Sequence, residues 1–363
     1  MHIGIIGLPS SGKTTVFNAL TRGHVETAAF STGRMEVHTA VVQVPDERVD
    51  RLAAMFKPKK TTYAQVQYKD IAGLAKGIGE SGGLSGPLLN EIGQNDALLH
   101  VVRAFEDANV LHPEGSIDPA RDMALVENEL ILNDMVTISN RMERLQQRLS
   151  KGGNPKEVEA AKFEQALLHK LLAQLDAERP LRTLALTAEE EKFLRGFNLL
   201  SQKPMLVVLN IDDDASETIT AQFDQPQAAN WVMLALRGKL EQELAQMPPD
   251  DAAVFLADFG IDEPGLSRVI HRSYGLLHVQ SFFTVGEDEV RAWTIPVAAS
   301  AVEAAGAIHT DLAKGFIRAE VVGYKDLIAA GSMAEARKQA AWRLEGREYI
   351  VQDGDIVHIR FAL

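Results

Sequence analysis

The sequence predicts an α/β protein in three parts: a mainly parallel sheet domain, an inserted helical hairpin and a small C-terminal α+β module. Three observations carry that expectation. Short apolar runs at residues 2–6, 97–102 and 204–209 punctuate helical patterns, as in a parallel sheet with helical crossovers. Apolar residues from Ile131 to Leu149 recur at 4-3-4-3-4 spacing, a coiled-coil seam. After residue 280 the pattern changes to paired strands joined by polar turns.

Taken in order, HIGII reads as a buried strand, and ALLHVV and PMLVVL are continuous apolar runs expected of strands covered on both faces. TTYAQVQYKD alternates, with Ala64, Val66 and Tyr68 on one face, and predicts a more exposed strand ending near Asp70. The seam residues Ile131, Met135, Ile138, Met142, Leu145 and Leu149 lead to a break at KGGNP, residues 151–155. A second helix follows with Val158, Ala161, Leu168, Leu172 and Leu175 on one stripe and Gln165 interrupting it. The two predict an antiparallel hairpin with its tip near 152–155, projecting as an arm because its outer faces are polar. In the last segment SFFTV and VRAWTI flank a GEDE turn, a helix is expected over 332–344, and GREYIVQDGDIVHIRF reads as strand, Asp353-Gly354 turn, strand. The expected domains are therefore 1–125 with 200–279, the insertion 126–199, and 280–363.

Composition bounds the function. A chain of 363 residues with a net charge of −13 disfavours indiscriminate nucleic-acid binding, so an RNA partner would need a local basic patch. No cysteine is present, which excludes disulfides and thiolate metal sites. No apolar run is long enough to span a bilayer and no signal-peptide pattern opens the chain; no membrane partner and a cytoplasmic location are expected.

The chemistry-bearing motif is GLPSSGKTT, residues 7–15, between a strand and a helical pattern. Gly7 permits a sharp turn and Gly12 a close backbone approach. The amides of Ser10, Ser11, Gly12, Lys13, Thr14 and Thr15 can then converge on phosphate oxygens, with Lys13 bridging β and γ phosphates and the Thr14 hydroxyl holding Mg²⁺. DIAG follows at residues 70–73: Asp70 can orient Mg²⁺ through water and the Gly73 amide can sense the γ-phosphate. The glycine-rich run KGIGESGGLSG after it should change order with nucleotide state. Base recognition is expected at NIDD, where Asn210, Ile211 and Asp213 follow a buried strand. A carboxylate at Asp213 suits the donor pair of guanine, whereas Ile211 stands where many GTPases carry lysine.

The order of GLPSSGKTTVFNALT, DIAGL, HVVRAFED and NIDD resembles the YchF family, the Obg-like ATPase branch of translation-factor-related GTPases. EVRAWTI, AAGAIHTDLAKGFIRAEVVGYKDL and WRLEGREYIVQDGDIVHIRF look like that family's C-terminal TGS domain, a β-grasp module. The resemblance spans the chain. It implies a P-loop G domain with a coiled-coil insertion, and an Mg²⁺-dependent nucleoside triphosphatase that acts as a switch and associates with ribosomes or ribosomal RNA through the arm and the TGS domain. It also implies a preference for ATP with GTP second, and slow intrinsic hydrolysis, because Leu74 stands where many small GTPases carry a water-orienting glutamine. Thr32 matches the threonine of the first switch that reaches Mg²⁺. There are departures: Ser10 replaces an asparagine that holds a monovalent cation in related GTPases, the base motif ends in Asp213 instead of Glu, and the SAK-like segment reads Arg237-Gly238-Lys239. Arg141, Arg144, Arg148, Lys151 and Lys156 gather near the arm's tip and suit phosphate contact. A nucleotide-gated RNA- or protein-binding module with incidental hydrolysis is the alternative; a small-molecule kinase would need an acceptor pocket and an arginine-rich lid that the motifs do not offer.

Overall fold

The structure is a computed structural model. It describes residues 1–23, 37–71, 86–150, 152, 154–223, 230–258, 261 and 263–362. The expected sites at Thr32, Gly73 and Leu74, the glycine-rich run from 76 to 85 and Lys151 lie outside the described residues. In chain order the first elements are β1 (His2–Ile6), α1 (Lys13–Thr21), β2 (Val37–Gln43), α2 (Glu47–Phe56), β3 (Lys60–Thr62), β4 (Gln65–Ile71), α3 (Gly86–Gly93) and β5 (Ala97–Ala104). The long helices α4 (Pro119–Ser150) and α5 (Pro155–Asp176) follow, then α6 (Ala188–Leu194), β6 (Met205–Ile211), β7 (Trp231–Leu236), α7 (Gly238–Gln246), α8 (Pro249–Asp258) and α9 (Gly265–Leu276). The chain closes with β8 (Val279–Thr284), β9 (Glu289–Pro296), α10 (Ala301–Ile308), α11 (Thr310–Lys314), β10 (Phe316–Gly323), α12 (Tyr324–Ala330), α13 (Met333–Lys338), β11 (Arg343–Glu345) and β12 (Asp355–Phe361).

Two compact units result: Met1–Ala40 with Gln67–Leu276, and Val41–Val66 with Leu277–Leu363. The first sheet runs β2-β4-β1-β5-β6-β7. The β4-β1, β1-β5, β5-β6 and β6-β7 pairs are parallel. Every residue of β6, and all of β5 but its last, is buried, which accounts for the uninterrupted apolar composition. On one face Leu88 and Ile92 of α3 and Val126 and Leu130 of α4 join Ile6, Leu98, Val102, Val207 and Leu209 in one core. β4 alternates as read, with Val66 and Tyr68 buried and Gln65 exposed.

The hairpin begins where α4 leaves that core. From Ile131 onward its apolar stripe packs with α5 through Ile138, Leu145, Ala161, Leu168, Leu171 and Leu175. At 1.5 Å per residue the last twenty residues of α4 extend about 30 Å beyond the sheet-packed turns. The seam differs from the sequence reading in one respect. The polar residue within it is Glu164, buried and paired with Arg141, while Gln165 is half-buried beside it. A carboxylate is tolerated there because the Arg141 guanidinium reaches it across the hairpin. Among the described residues no helix is long and apolar enough to cross a membrane.

In the second unit the sheet order is β11-β10-β12-β8-β9-β3, with α10 packed over one face through Ala301, Ala304 and Ala305 against Phe282, Ala319, Val321 and Val357. It is a mixed sheet: β8-β9, β10-β12 and β10-β11 are antiparallel, whereas β12-β8 and β3-β9 are parallel. A mixed sheet closed by one helix is the arrangement a β-grasp module requires. Residues 41–66, read with the nucleotide-binding part in sequence, contribute α2 and the edge strand β3 to this unit. Arg48 of α2 donates to Asp46 and, at 2.7 Å, to Asp353, and lies over the Phe283 ring at 5.0 Å. Two C-terminal expectations change. The run before Asp353 is no strand: Ala301 N–H donates to Tyr349 O and Val351 N–H to Ala299 O, so its backbone bonds to the loop that enters α10 and to that helix's first residue, with a single bridge at Ile350. The helix expected over 332–344 stops at Lys338, because Ala340 adopts φ +57 and Arg343–Glu345 pairs with β10.

Asp134 of α4 is fully buried and accepts from Leu200 N–H at 2.8 Å, Ser201 N–H at 2.7 Å and Ser201 Oγ at 2.7 Å, tying the hairpin's root to the segment entering β6. Replacing it by alanine strands three buried donors; Asp134→Ala should lower unfolding free energy by about 3 kcal/mol in urea titration and expose the Leu200 and Ser201 amides to hydrogen exchange.

Candidate nucleotide site

The site forms at the C-terminal edge of the parallel sheet, where β1, β4, β5, β6 and β7 release their loops. β1 ends at Ile6, and the turn into α1 depends on two glycines. Gly7 has φ +148, and a Cβ there would stand 2.2 Å from Val101 O. Gly12 has φ +89, and its Cβ would stand 2.2 Å from Asn210 Nδ2. Ser10 also takes a left-handed backbone, φ +59, unusual for a residue with a side chain. The Ser11 hydroxyl is buried without a partner among the described residues, and the Ser11 carbonyl accepts from Asn210 Nδ2 at 3.1 Å.

Lys13 and Thr14 open α1 beside Asp70 at the end of β4. Lys13 Nζ donates to Gly7 O at 3.0 Å and Leu8 O at 2.8 Å. The ammonium is enclosed, although the residue as a whole keeps some exposure. Burial lowers its pKa to about 8 in spite of the opposing charge of Asp70. Thr14 Oγ1 donates to Asp70 Oδ2 at 2.8 Å; the second oxygen, Oδ1, is buried with no hydrogen-bond partner among the described residues. Burial raises the Asp70 pKa, opposed by the Thr14 hydroxyl and the Lys13 charge. Thr15 follows in the first turn of α1. Behind them on β5, His100 is buried and its pKa falls to about 3, driven by desolvation and then by the Arg182 and Lys13 charges, so the imidazole is neutral.

Asn210, the penultimate residue of β6, has both amide atoms engaged: Nδ2 on Ser11 O, and Oδ1 accepting Gly238 N–H at 3.0 Å. One side chain thus joins the phosphate loop to the first residue of α7. Ile211 points into the apolar core. Asp213 is exposed, and its carboxylate meets no hydrogen-bond donor among the described residues. The structure therefore brings together Gly7, Ser10, Ser11, Gly12, Lys13, Thr14, Asp70 and Asn210.

Two neighbours were missed in the sequence. Phe105, just past β5, stands beside Gly12. Its ring is stacked by Arg103 at 4.7 Å, and Arg103 also donates to Phe105 O and Val110 O. Asp212, not Asp213, is spent within the protein, accepting Glu106 N–H at 3.1 Å. An aromatic residue directly after a buried strand was the available signal for Phe105. Further along this loop His112 Nε2 meets Asp122 at 2.8 Å, and Asp122 is also held by Arg121.

A threonine hydroxyl on a strand-borne carboxylate, under a glycine loop with an enclosed lysine, is the apparatus of P-loop nucleotide-binding domains of the GTPase type. Residues 2–141 match the family model described as 50S ribosome-binding GTPase. Residues 279–362 match the model of the YchF GTPase C-terminal region, described as a protein of unknown function. The chain is 41% identical over 361 residues to the ribosome-binding ATPase YchF of Pasteurella multocida (strain Pm70), covering 99% of this chain and 98% of that protein. It is 40% identical over 364 residues to the protein of the same name from Bacillus subtilis (strain 168), with the same coverage. The solved structure of the Schizosaccharomyces pombe YchF GTPase superposes with a TM-score of 0.86 at 30% identity, covering 99% of this chain and 97% of that one. The chain belongs to the YchF family.

With a pKa of about 8, Lys13 is partly neutral at pH 8, and a bound triphosphate should drive it to its charged form. Calorimetric titration at pH 8 in buffers of different ionisation enthalpy should then show uptake of up to about half a proton per nucleotide. Lys13→Met should abolish that uptake.

Proposed function

We propose that this chain is an Mg²⁺-dependent nucleoside triphosphatase, ATP favoured and GTP accepted, that works with the ribosome as a nucleotide-controlled switch in the cytoplasm. The observation that carries the reading is the Thr14–Asp70 pair, with one Asp70 oxygen buried and unpartnered beside the enclosed Lys13 ammonium. The hard oxygen donors of Thr14 and Asp70 suit Mg²⁺, which needs few protein ligands when phosphates and water complete its shell. Thr32 is the proposed further ligand. When bound, Mg²⁺ supplies charge neutralisation at the β and γ phosphates.

The chain's own groups do the rest. The backbone amides from Ser10 to Thr15 receive phosphate oxygens at the start of α1. Lys13 exchanges two carbonyl acceptors for phosphate oxygens and adds its charge to the site. The Gly73 amide senses the γ-phosphate, and Leu74 offers no hydrogen bond to water, so turnover without a partner is slow. Asn210 holds the base side of the site against the phosphate loop. The ribosome is proposed from the relatives' names and from the arm, where Arg144, Arg148 and Lys156 are exposed while Arg141 is tied to Glu164. The TGS-like second unit is the other proposed contact.

Single-turnover hydrolysis with and without ribosomes tests the reading: ribosomes should accelerate the wild-type protein. Asp70→Asn should lower the rate by about 100-fold, in the range seen when one transition-state contact is removed. Tight nucleotide binding without acceleration by ribosomes would instead favour a nucleotide-gated module. Arg144→Glu with Arg148→Glu should reduce co-sedimentation with ribosomes; unchanged co-sedimentation removes the arm from the account.

A further inference from the structure

We infer that Arg237 is a positioning residue for the base-binding segment, fixing the backbone that carries Asp213; this rests on NIDD being the base-facing motif. β7 ends at Leu236, and Arg237 is the N-cap residue of α7. Its guanidinium turns back over the segment that follows Asn210. Nη2 donates to Ala215 O at 3.0 Å, and Nη1 lies 3.2 Å from Glu217 Oε1. The other oxygen of Glu217 is taken by Arg268 of α9 at 2.6 Å. The start of α9 is in turn held by Glu241 of α7, which accepts Gly265 N–H at 2.6 Å and Leu266 N–H at 3.3 Å. The circuit closes through Gly238 N–H on Asn210.

Its consequence is a short segment anchored at both ends. Asn210 is held by two bonds, Asp212 by the Glu106 amide, and Ala215 and Glu217 by arginines. Between these anchors Asp213 and Asp214 are exposed, and their carboxylates meet no hydrogen-bond donor among the described residues. A carboxylate recognises a base edge only if its backbone is already in place; otherwise binding must order the segment first. Charge, not packing, directs Arg237: it borders a cavity of about 410 Å³ lined also by Glu217, Leu240, Glu241, Gly265 and Arg268. The Nε atoms of Arg237 and Arg268 are buried without acceptors among the described residues. Glu217 is thus the group that aims both guanidiniums.

The test separates the base end of the ligand from the phosphate end. The full-length protein is titrated calorimetrically with ATP, GTP and inorganic tripolyphosphate, each with MgCl₂. Arg237→Ala should reduce the affinity advantage of GTP over tripolyphosphate by about tenfold, equivalent to 1.4 kcal/mol. The ATP-to-GTP affinity ratio should rise, because GTP alone loses the carboxylate contact, and tripolyphosphate affinity should stay within about twofold. Arg237→Lys, which retains a donor for Ala215 O, should recover part of the advantage, and Glu217→Gln should reproduce part of the loss. In the Arg237→Ala background Asp213→Ala should add little, because the two act through one segment. An unchanged advantage in Arg237→Ala, or an equal fall in tripolyphosphate affinity, would overturn the assignment. If Asp213→Ala alone leaves the wild-type advantage unchanged, the base reading of NIDD itself fails, whatever Arg237 does.

Discussion

A lysine ammonium held out of water is the constraint around which the nucleotide unit is arranged. Two loop carbonyls accept from Lys13, and Asp70 supplies the opposing charge, yet burial still lowers its pKa to about 8. The phosphate loop must therefore curl tightly enough to present Gly7 O and Leu8 O inward, which requires Gly7 against Val101 O and Gly12 against the Asn210 amide. β4 must lie beside β1 so that Asp70 arrives level with α1, and the β1-β4 register pairs Ile5 with Asp70. An enclosed cation that lacks a full counter-charge is a poor resting state and a good receptor for phosphate.

The same logic of a polar group answered across the fold recurs away from the site. Asp134 binds the return segment at Leu200 and Ser201, and Glu164 enters the hairpin seam only with Arg141. Arg182, its side chain buried, is met by Glu127 at 2.6 Å and by Lys203 O at 2.7 Å. These partners come from distant parts of the chain. They specify which segments meet, a kind of information that apolar periodicity does not carry.

Much of the fold and the glycine turn that opens α1 was legible in the sequence because local rules govern both. Continuous apolar runs mark β5 and β6, a 4-3 spacing marks α4, and glycines at fixed offsets mark the turn from β1 into α1. The NIDD segment was less legible. Asp212 and Asp213 are adjacent carboxylates in one polar run, and only the arrival of the Glu106 amide at one of them tells them apart. Ile211 has the same cause: strand parity turns it into the core. At the C-terminus, the Tyr349 region has strand composition, but its backbone partners lie at Ala299 and Ala301 instead of on a neighbouring strand.

The sequence by itself determined the P-loop, the hairpin and the family, since each is written in residues close along the chain. Tertiary structure alone decided three things. It assigned residues 41–66 to the second unit, where β3 finds β9 and Arg48 finds Asp353. It placed Glu164 in the seam. It also turned Arg237, read in sequence as a departure from a motif, into the residue that spans to Ala215 and Glu217. The physical reason is common to all three: a charge or a strand edge takes its meaning from the partner that satisfies it, and that partner lies far away in sequence.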